Sequence, residues 1–239
     1  DKEKYFSLEY GLLNKLSPKM KAMYDNIQKS KGISLVYSQF VTLEGLGIFS
    51  ILLEGNGYKK LDLNNNQSKA KRYTVYTGKE SQEEREEIVK ILTNPNNKYG
   101  EICSVILVSE TGAQSVNLKN IRQVHIMEPF WNEVRIKQVI GRAVRYESHI
   151  ELPPKERQVD VFRYLSVFSP KQKSEFISMF SGPKATREKI TTDEYIQDLS
   201  FKKEKLTNEI SQVMKESAVD CKLNKLFNEK TINCLDLGT

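Results

Sequence analysis

The chain has 239 residues, 38% of them hydrophobic, and its 37 basic and 31 acidic side chains give a net charge of +6. No apolar run reaches the roughly 18 residues that a membrane-spanning helix requires, so no membrane partner is expected. The basic balance favours an anionic partner such as nucleic acid without identifying one. Residue 1 is Asp and no signal-like segment follows it, so we expect a piece of a longer polypeptide.

The N-terminal half alternates predicted helices and strands. In chain order these are a helix over 17–30, a strand over 32–40, a helix over 43–54, a short strand over 58–63 and a strand over 72–78. Ser17 and Thr42 are predicted helix N-caps. The apolar run at 32–40 does not alternate with polar residues, which indicates a strand buried on both faces. The polar loop 64–72 is expected to be mobile.

The pattern continues to residue 168. It predicts a helix over 81–92, a strand over 102–109, a polar loop over 110–115, a strand over 123–127, a helix over 133–145 and a strand over 158–168. A Ser81–Glu84 capping box opens the first helix, and Asn132 caps the second. This rhythm predicts an α/β fold, a mostly parallel open sheet with helices on both faces. Ligands bind at the carboxyl ends of such strands, here the loops after Phe40, Val75 and Ser109.

The composition changes after Ser169. A capped helix begins there, a basic linker follows at 181–192, and a lysine- and glutamate-rich helix covers about 193–217. We predict a lobe at 1–168 and a helical C-terminal extension at 169–239. The extension either packs on the lobe or reaches for a partner, and its basic helix either tracks phosphates or is simply solvated.

The three cysteines are predicted to be reduced thiols. Cys103, Cys221 and Cys234 are widely scattered and form neither a CxxC pair nor a Cys/His cluster. A disulfide framework or a zinc site is therefore not expected, and no metal ligands are predicted.

Several catalytic motifs are absent from the sequence. There is no GxxxxGK[ST] phosphate loop, no acidic "DE" or "DD" strand end, no GxSxG and no HExxH. Arginine is a poor base or nucleophile, but it stabilises charge on a transferring phosphate well. The sequence thus predicts half of an active site, completed elsewhere.

Four segments resemble motifs of superfamily 2 helicases, in the order and spacing of that family. "QVIGRAVR" resembles motif VI, QxxGRxxR; "SLVYSQF" resembles motif IV; "YTGKESQEER" resembles the segment after it; and "SETGAQSVNLKNIRQVHIMEPFWN" resembles motif V with its following strand. The extension "GRAVRYESHIELPPKERQVDVFRY" and the tail "KESAVDCKLN" are similar to helicase-like NTPases of large cytoplasmic DNA viruses, such as poxviruses, African swine fever virus and giant viruses. The resemblance covers residues 15–235. It implies a second RecA-like lobe plus a C-terminal extension.

The resemblance implies roles for particular residues. Arg142 and Arg145 match the arginine fingers, which at three residues apart are expected on one helix face. Gln138 is expected to orient an arginine or the nucleotide, and Gly141 to permit close approach. Alternatively, Arg142 and Arg145 form a solvated basic face of the helix. Motif V has only Gly112 where related enzymes have several glycines, which leaves its backbone contacts to the nucleotide open.

A second set of residues is expected to contact the nucleic-acid backbone without reading bases. These are Ser38, Gln39, Thr77, Gly78, Ser109 and Thr111, and each also fits an ordinary strand-end turn. Arg85 is expected to pair with carboxylates of its own helix. Phe130 and Trp131 are expected in the core, and His149 is expected to pack near the finger helix.

By this resemblance, the chain is expected to be the second motor lobe of an ATP-dependent helicase or translocase. ATP and Mg²⁺ would bind mainly to an N-terminal lobe of the same polypeptide, and the fragment alone would not hydrolyse ATP. The expected partners are nucleic acid, favouring DNA over RNA, and viral RNA polymerase, with an intracellular location in host cytoplasm, virus factory or virion core. One rival is a non-enzymatic nucleic-acid- or polymerase-binding module on the same scaffold. The other, a Rossmann-like transferase, requires a glycine-rich turn that "SQFVTLEG" lacks.

Overall fold

A computed structural model describes residues 5–7, 12–42, 44–63, 70–115, 117–179, 190–224, 226 and 231–235. The helices are α1 (Leu13–Leu16), α2 (Pro18–Gln28), α3 (Leu46–Gly55), α4 (Gln82–Leu92), α5 (Glu110–Ser115), α6 (Glu133–Ala143), α7 (Pro170–Met179) and α8 (Thr192–Glu216). The strands are β1 (Ile33–Tyr37), β2 (Lys59–Lys60), β3 (Arg72–Tyr76), β4 (Val105–Val108), β5 (Ile121–Ile126) and β6 (Asp160–Arg163). Residues 64–69, most of the loop expected to be mobile, and residues 181–189, most of the basic linker, lie outside the described residues.

The six strands form one sheet in the order β2-β3-β4-β1-β5-β6, and all five neighbouring pairs are parallel. The predicted α/β fold with an open parallel sheet is therefore confirmed. The central strand β1 is buried at all five positions, as its continuous apolar run predicted.

Two apolar cores cover the two faces of the sheet. Because side chains alternate along a strand, Leu35 points into one core and Val36 into the other. Helices α4 and α6 pack over the first core, and α2 and α3 over the second. Helices thus lie on both faces, as predicted.

Local capping places several helix starts where the sequence predicted them. The Ser17 hydroxyl accepts the Met20 N–H, and Ser81 with Glu84 forms a reciprocal capping box. The predicted Thr42 cap is wrong. The chain folds back so that Leu46 donates its N–H to the Phe40 carbonyl at 2.9 Å, and Gly45 is an N-cap without a side-chain bond.

The segment 110–115, predicted to be a polar loop, is helix α5. Gly112 makes this possible, because a Cβ there would overlap the carbonyl oxygen of Tyr76. The helix therefore packs directly against the end of β3. Strand β6 is shorter than the predicted 158–168.

The first half of α8 docks on the lobe. Asp193 accepts the Lys19 ammonium at 3.1 Å and the Ser166 N–H at 2.7 Å. Burial opposes ionisation, but these bonds hold the pKa of Asp193 below its usual value. The later apolar positions of α8 are exposed: Leu206, Ile210, Val213 and Met214. None of the helices within the described ranges has both the length and the apolar character needed to cross a bilayer.

Cys221 and Cys234 form a disulfide, so the prediction of three reduced thiols is wrong for this pair. The chain turns back after α8, where Leu235 donates its N–H to the Glu216 carbonyl at 2.9 Å, and this return brings the two cysteines together. The fold, rather than their spacing, pairs them.

Thiol titration checks this pairing. The chain denatured without reductant is expected to expose one free thiol, that of Cys103, and three after reduction. In the native chain Cys103 is expected to be unreactive, because burial raises its pKa to about 12. The variant Cys221→Ser should titrate two thiols without reductant. Three thiols in the unreduced wild-type chain would contradict the pairing.

Candidate functional site

The predicted site residues follow the carboxyl ends of neighbouring strands. Tyr37 of β1, Val108 of β4 and Tyr76 of β3 lie side by side in the sheet register. The parallel arrangement therefore brings the loops after these strands to one edge of the sheet.

Four of the predicted nucleic-acid contacts come together at this edge. The hydroxyl of Ser109 donates to the Thr77 carbonyl at 2.8 Å. Gly78 lies so close to Thr111 that a Cβ on the glycine would be 2.7 Å from the threonine Cγ2. Thr77 and Ser109 are buried, whereas Thr111 is exposed. We call Thr77, Gly78, Ser109 and Thr111 the edge cluster.

Ser38 and Gln39 form a separate pair beside β5. The Ser38 hydroxyl is buried and donates to the Glu128 carboxylate at 2.9 Å, and the Gln39 N–H donates to the same oxygen at 2.6 Å. Burial raises the pKa of Glu128, although these two hydrogen bonds favour its ionised form. In this arrangement the Ser38 hydroxyl faces the protein interior, while the Gln39 side chain is partly exposed.

Arg85 was predicted to pair with carboxylates of its own helix, but no such ion pair forms among the residues that the structure describes. Its Nη2 donates to the Gly78 carbonyl. The side chain thereby crosses from α4 to the turn after β3 and fixes one peptide plane of the edge cluster.

The finger motif is divided by the end of its helix. Helix α6 ends at Ala143, two residues before the predicted end. Arg142 and Arg145 were expected on one helix face, but only Arg142 lies in the helix. Arg145 is exposed in the following turn and donates to the Asn117 side chain, a residue that the sequence analysis did not single out. Gly141 is exposed, and a Cβ there would meet no atom of the described chain within 4 Å.

Arg142 and Gln138 border a small cavity between α5, α6 and the end of β1. Its volume is ≈ 100 Å³, and its lining residues are Tyr37, Glu110, Ala113, Arg135, Gln138, Val139 and Arg142. The Tyr37 ring is 1% exposed, and its hydroxyl has no hydrogen-bond partner in the part of the chain that the structure describes. Burial raises the pKa of Tyr37 to about 12, against the opposing charge of Arg135. The cavity therefore offers a neutral hydroxyl and a permanent cation.

A two-point ion pair closes one side of this cavity. Arg135 places one guanidinium nitrogen 2.7 Å and the other 2.6 Å from the two carboxylate oxygens of Glu110. The guanidinium also lies 3.9 Å from the ring centroid of Phe130. The pair joins α5 to α6 and holds the Arg142-bearing helix beside the edge cluster.

The aromatic pair and the histidines fall in different places. Phe130 packs against the core as predicted, but Trp131 is 50% exposed with the Lys203 ammonium 4.4 Å from its ring centroid, so its predicted burial is wrong. His149 is buried, and its Nε2 lies 2.6 Å from the Ile121 carbonyl, in line with a packing role. Burial lowers the pKa of His125 to about 3, which keeps this core histidine neutral.

Among the residues with described positions, no three His, Cys, Asp or Glu side chains come together in a way that could hold a metal ion. Four residues at or near the candidate site were not predicted from the sequence: Tyr37, Glu80, Asn117 and Arg135. Tyr37 was interpreted only as part of a buried strand. The roles of Arg135 and Asn117 depend on contacts between distant segments, whereas that of Glu80 depends on the side-chain conformation within its own turn.

The helicase conserved C-terminal domain family matches residues 18–147. A putative ATP-dependent RNA helicase of Acanthamoeba polyphaga mimivirus, R350, is 37% identical over 212 residues, covering 89% of this chain and 24% of the relative. A termination factor NPH-I homolog of African swine fever virus is 34% identical over 241 residues, covering 87% of this chain and 33% of the relative.

The chain thus spans about a quarter to a third of the length of these relatives. A solved structure, the C-terminal part of the Fun30 ATPase domain, aligns with 77% of this chain and 51% of that one, at 15% identity and a TM-score of 0.47.

Proposed function

Because the chain belongs to the helicase conserved C-terminal domain family, we propose that it is the second motor lobe of an ATP-dependent superfamily 2 helicase or translocase. One observation carries the proposal: Gln138 and Arg142, four residues apart on one face of α6, border the cavity beside the edge cluster. A nucleotide and a nucleic-acid backbone would therefore meet neighbouring parts of one sheet edge.

The cavity is chemically suited to part of a nucleotide. Arg142 contributes a permanent, planar cation, and the buried Tyr37 contributes a neutral hydroxyl. We propose that Arg142 and Arg145 are arginine fingers and that Gln138 orients an arginine or the nucleotide. Gly141 would let the nucleotide or the facing lobe approach the backbone, whereas the predicted nucleotide contact Gly112 already lies against the Tyr76 carbonyl.

When bound, ATP would supply the phosphoryl group that is transferred to water. This chain's arginines would place positive charge beside that group as negative charge develops on it. We propose that the residues holding the other phosphates and Mg²⁺ belong to an N-terminal lobe of the same polypeptide.

The edge cluster is the proposed contact to the nucleic-acid backbone, with Gln39 beside it and Ser38 holding that loop through Glu128. Hydroxyls and backbone N–H groups contact phosphates without reading sequence, so we propose binding without base specificity. We favour DNA over RNA, and a role in viral transcription or DNA metabolism, with viral RNA polymerase as a candidate partner. The location would be host cytoplasm, virus factory or virion core.

The test is ATP hydrolysis by a polypeptide that joins this lobe to its N-terminal lobe, with and without single-stranded DNA, duplex DNA or RNA. Hydrolysis that rises with nucleic acid is the expected result, and residues 1–239 alone should bind nucleic acid without hydrolysing ATP.

The exposed apolar positions of α8 suit a protein partner. Nucleic-acid or polymerase binding without any hydrolysis would therefore favour the non-enzymatic module instead.

A further inference from the structure

Three hydrogen-bond donors after β3 converge on one carboxylate. The backbone N–H groups of Thr77 and Gly78 each donate to Glu80 Oε2 at 2.8 Å, and the Thr77 hydroxyl donates to Oε1 at 2.9 Å. Gly78 has a φ of 89°, a left-handed conformation that points successive N–H groups to the same side. The turn therefore forms a concave site for an anion.

Both peptide groups of this turn are fixed from behind. The Ser109 N–H donates to the Tyr76 carbonyl at 3.3 Å, and the Ser109 hydroxyl donates to the Thr77 carbonyl at 2.8 Å. These two carbonyls share their peptide groups with the Thr77 N–H and the Gly78 N–H. With their carbonyls held, the N–H groups keep their direction whether or not an anion is present. The site is preorganised, which lowers the cost of binding an oxygen there.

The anion now in this site belongs to the chain itself. Within the described ranges these three donors and the N–H of Glu80 itself, and no cation, hold the Glu80 carboxylate. Burial opposes its ionisation, but the hydrogen bonds outweigh this and lower the pKa of Glu80. Glu80 is only partly buried, so an external anion can reach the same donors.

We propose that this turn binds a non-bridging phosphate oxygen of the nucleic-acid backbone, and that the Glu80 carboxylate fills the site until nucleic acid displaces it. The inference rests on the proposed function and adds to it an internal competitor for the phosphate. Thr111 lies beside Gly78 and is exposed, so a strand reaching the turn also meets the rest of the edge cluster. Glu80 thereby weakens binding, and no other role in catalysis is required of it.

The experiment is equilibrium binding of a fluorescently labelled single strand to the whole chain at fixed ionic strength. Glu80→Ala is expected to bind the strand about tenfold tighter, because the Glu80 carboxylate no longer competes with the phosphate for these charge-assisted hydrogen bonds. The matched control is Glu87→Ala on α4, which removes the same charge from an exposed Glu87–Lys90 pair and should change affinity far less. Glu80→Gln removes the charge, keeps the turn's acceptor, and should also bind tighter.

A second substitution tests the donors. Thr77→Val in the Glu80→Ala background removes one donor at nearly constant volume and should lose most of the gained affinity. Equal gains from Glu80→Ala and Glu87→Ala would reduce the effect to bulk charge and overturn the inference. Weaker binding by both Glu80 variants, together with a lowered melting temperature, would also overturn the inference. That result would show that Glu80 only stabilises the turn. A wild-type chain that binds no strand would overturn the proposed nucleic-acid function as well.

Discussion

Replacing Arg142 with alanine is expected to lower nucleic-acid-stimulated ATP hydrolysis at least a hundredfold, a loss of about 2.7 kcal/mol. The reason is its position at the cavity, where a permanent cation can neutralise charge that develops on a transferring phosphate. Arginine fingers of this kind are worth roughly 10³ to 10⁵ in rate. Arg145→Ala is expected to have an effect of the same order, although Arg145 acts from the turn after α6, beside Asn117.

The measurement is the turnover rate of the two-lobe polypeptide at saturating ATP and nucleic acid. Arg142→Lys keeps the charge but loses the planar fork of donors, so it should remain strongly impaired. Lys137→Ala is the matched control: it removes a cation from the same helix, on the side where Lys137 pairs with Glu204. An Arg142→Ala rate equal to that of the Lys137 control would show that Arg142 is not a finger.

Replacing Glu133 with alanine is expected to lower the free energy of unfolding by about 3 kcal/mol. Glu133 is 4% exposed and accepts hydrogen bonds from Arg163 at 2.9 Å, Gln197 at 3.1 Å and Ser200 at 3.3 Å. Removing one partner of a buried pair costs roughly 3–5 kcal/mol. The lower end applies here because a third of the Arg163 side chain is exposed.

Urea denaturation measures the stability loss, and hydrogen exchange localises it. Residues 192–200 of α8 should lose protection first, since Gln197 and Ser200 dock that helix on Glu133. Asp198→Asn serves as control, because Asp198 forms an exposed pair with Lys202 and its loss should cost about 0.5 kcal/mol or less. If α8 keeps its protection in Glu133→Ala, another contact docks the helix.

Elements whose signals are local were predictable from the sequence. Ser17, Ser81 and Asn132 act within three residues of the helix starts that they cap. The buried strands were equally readable, because a strand covered on both faces, such as Ile33–Tyr37, must be apolar throughout. The parallel sheet, the helices on both of its faces and helix α8 could be predicted from these signals.

Features that depend on distant segments were not predictable. Gly112 and polar neighbours argue against a helix at 110–115, and only packing against Tyr76 explains it. The end of α6 at Ala143 separates Arg142 from Arg145, which motif spacing alone placed together. The edge cluster was predicted as a set of residues, but Glu80, its bonded carboxylate, was not, since its role depends on the side-chain conformation in the turn.

The strand order also governs how the lobe is assembled during synthesis. The central strand β1 is made first, yet its neighbours are strands made much later: Ser34 pairs with Val105, and Val36 with His125. Pairings this distant in sequence close large loops before they gain stability, so they form slowly. Both edges of β1 consequently stay open until β4 and β5 have left the ribosome, and a nascent chain stalled before that point exposes an apolar strand prone to aggregation.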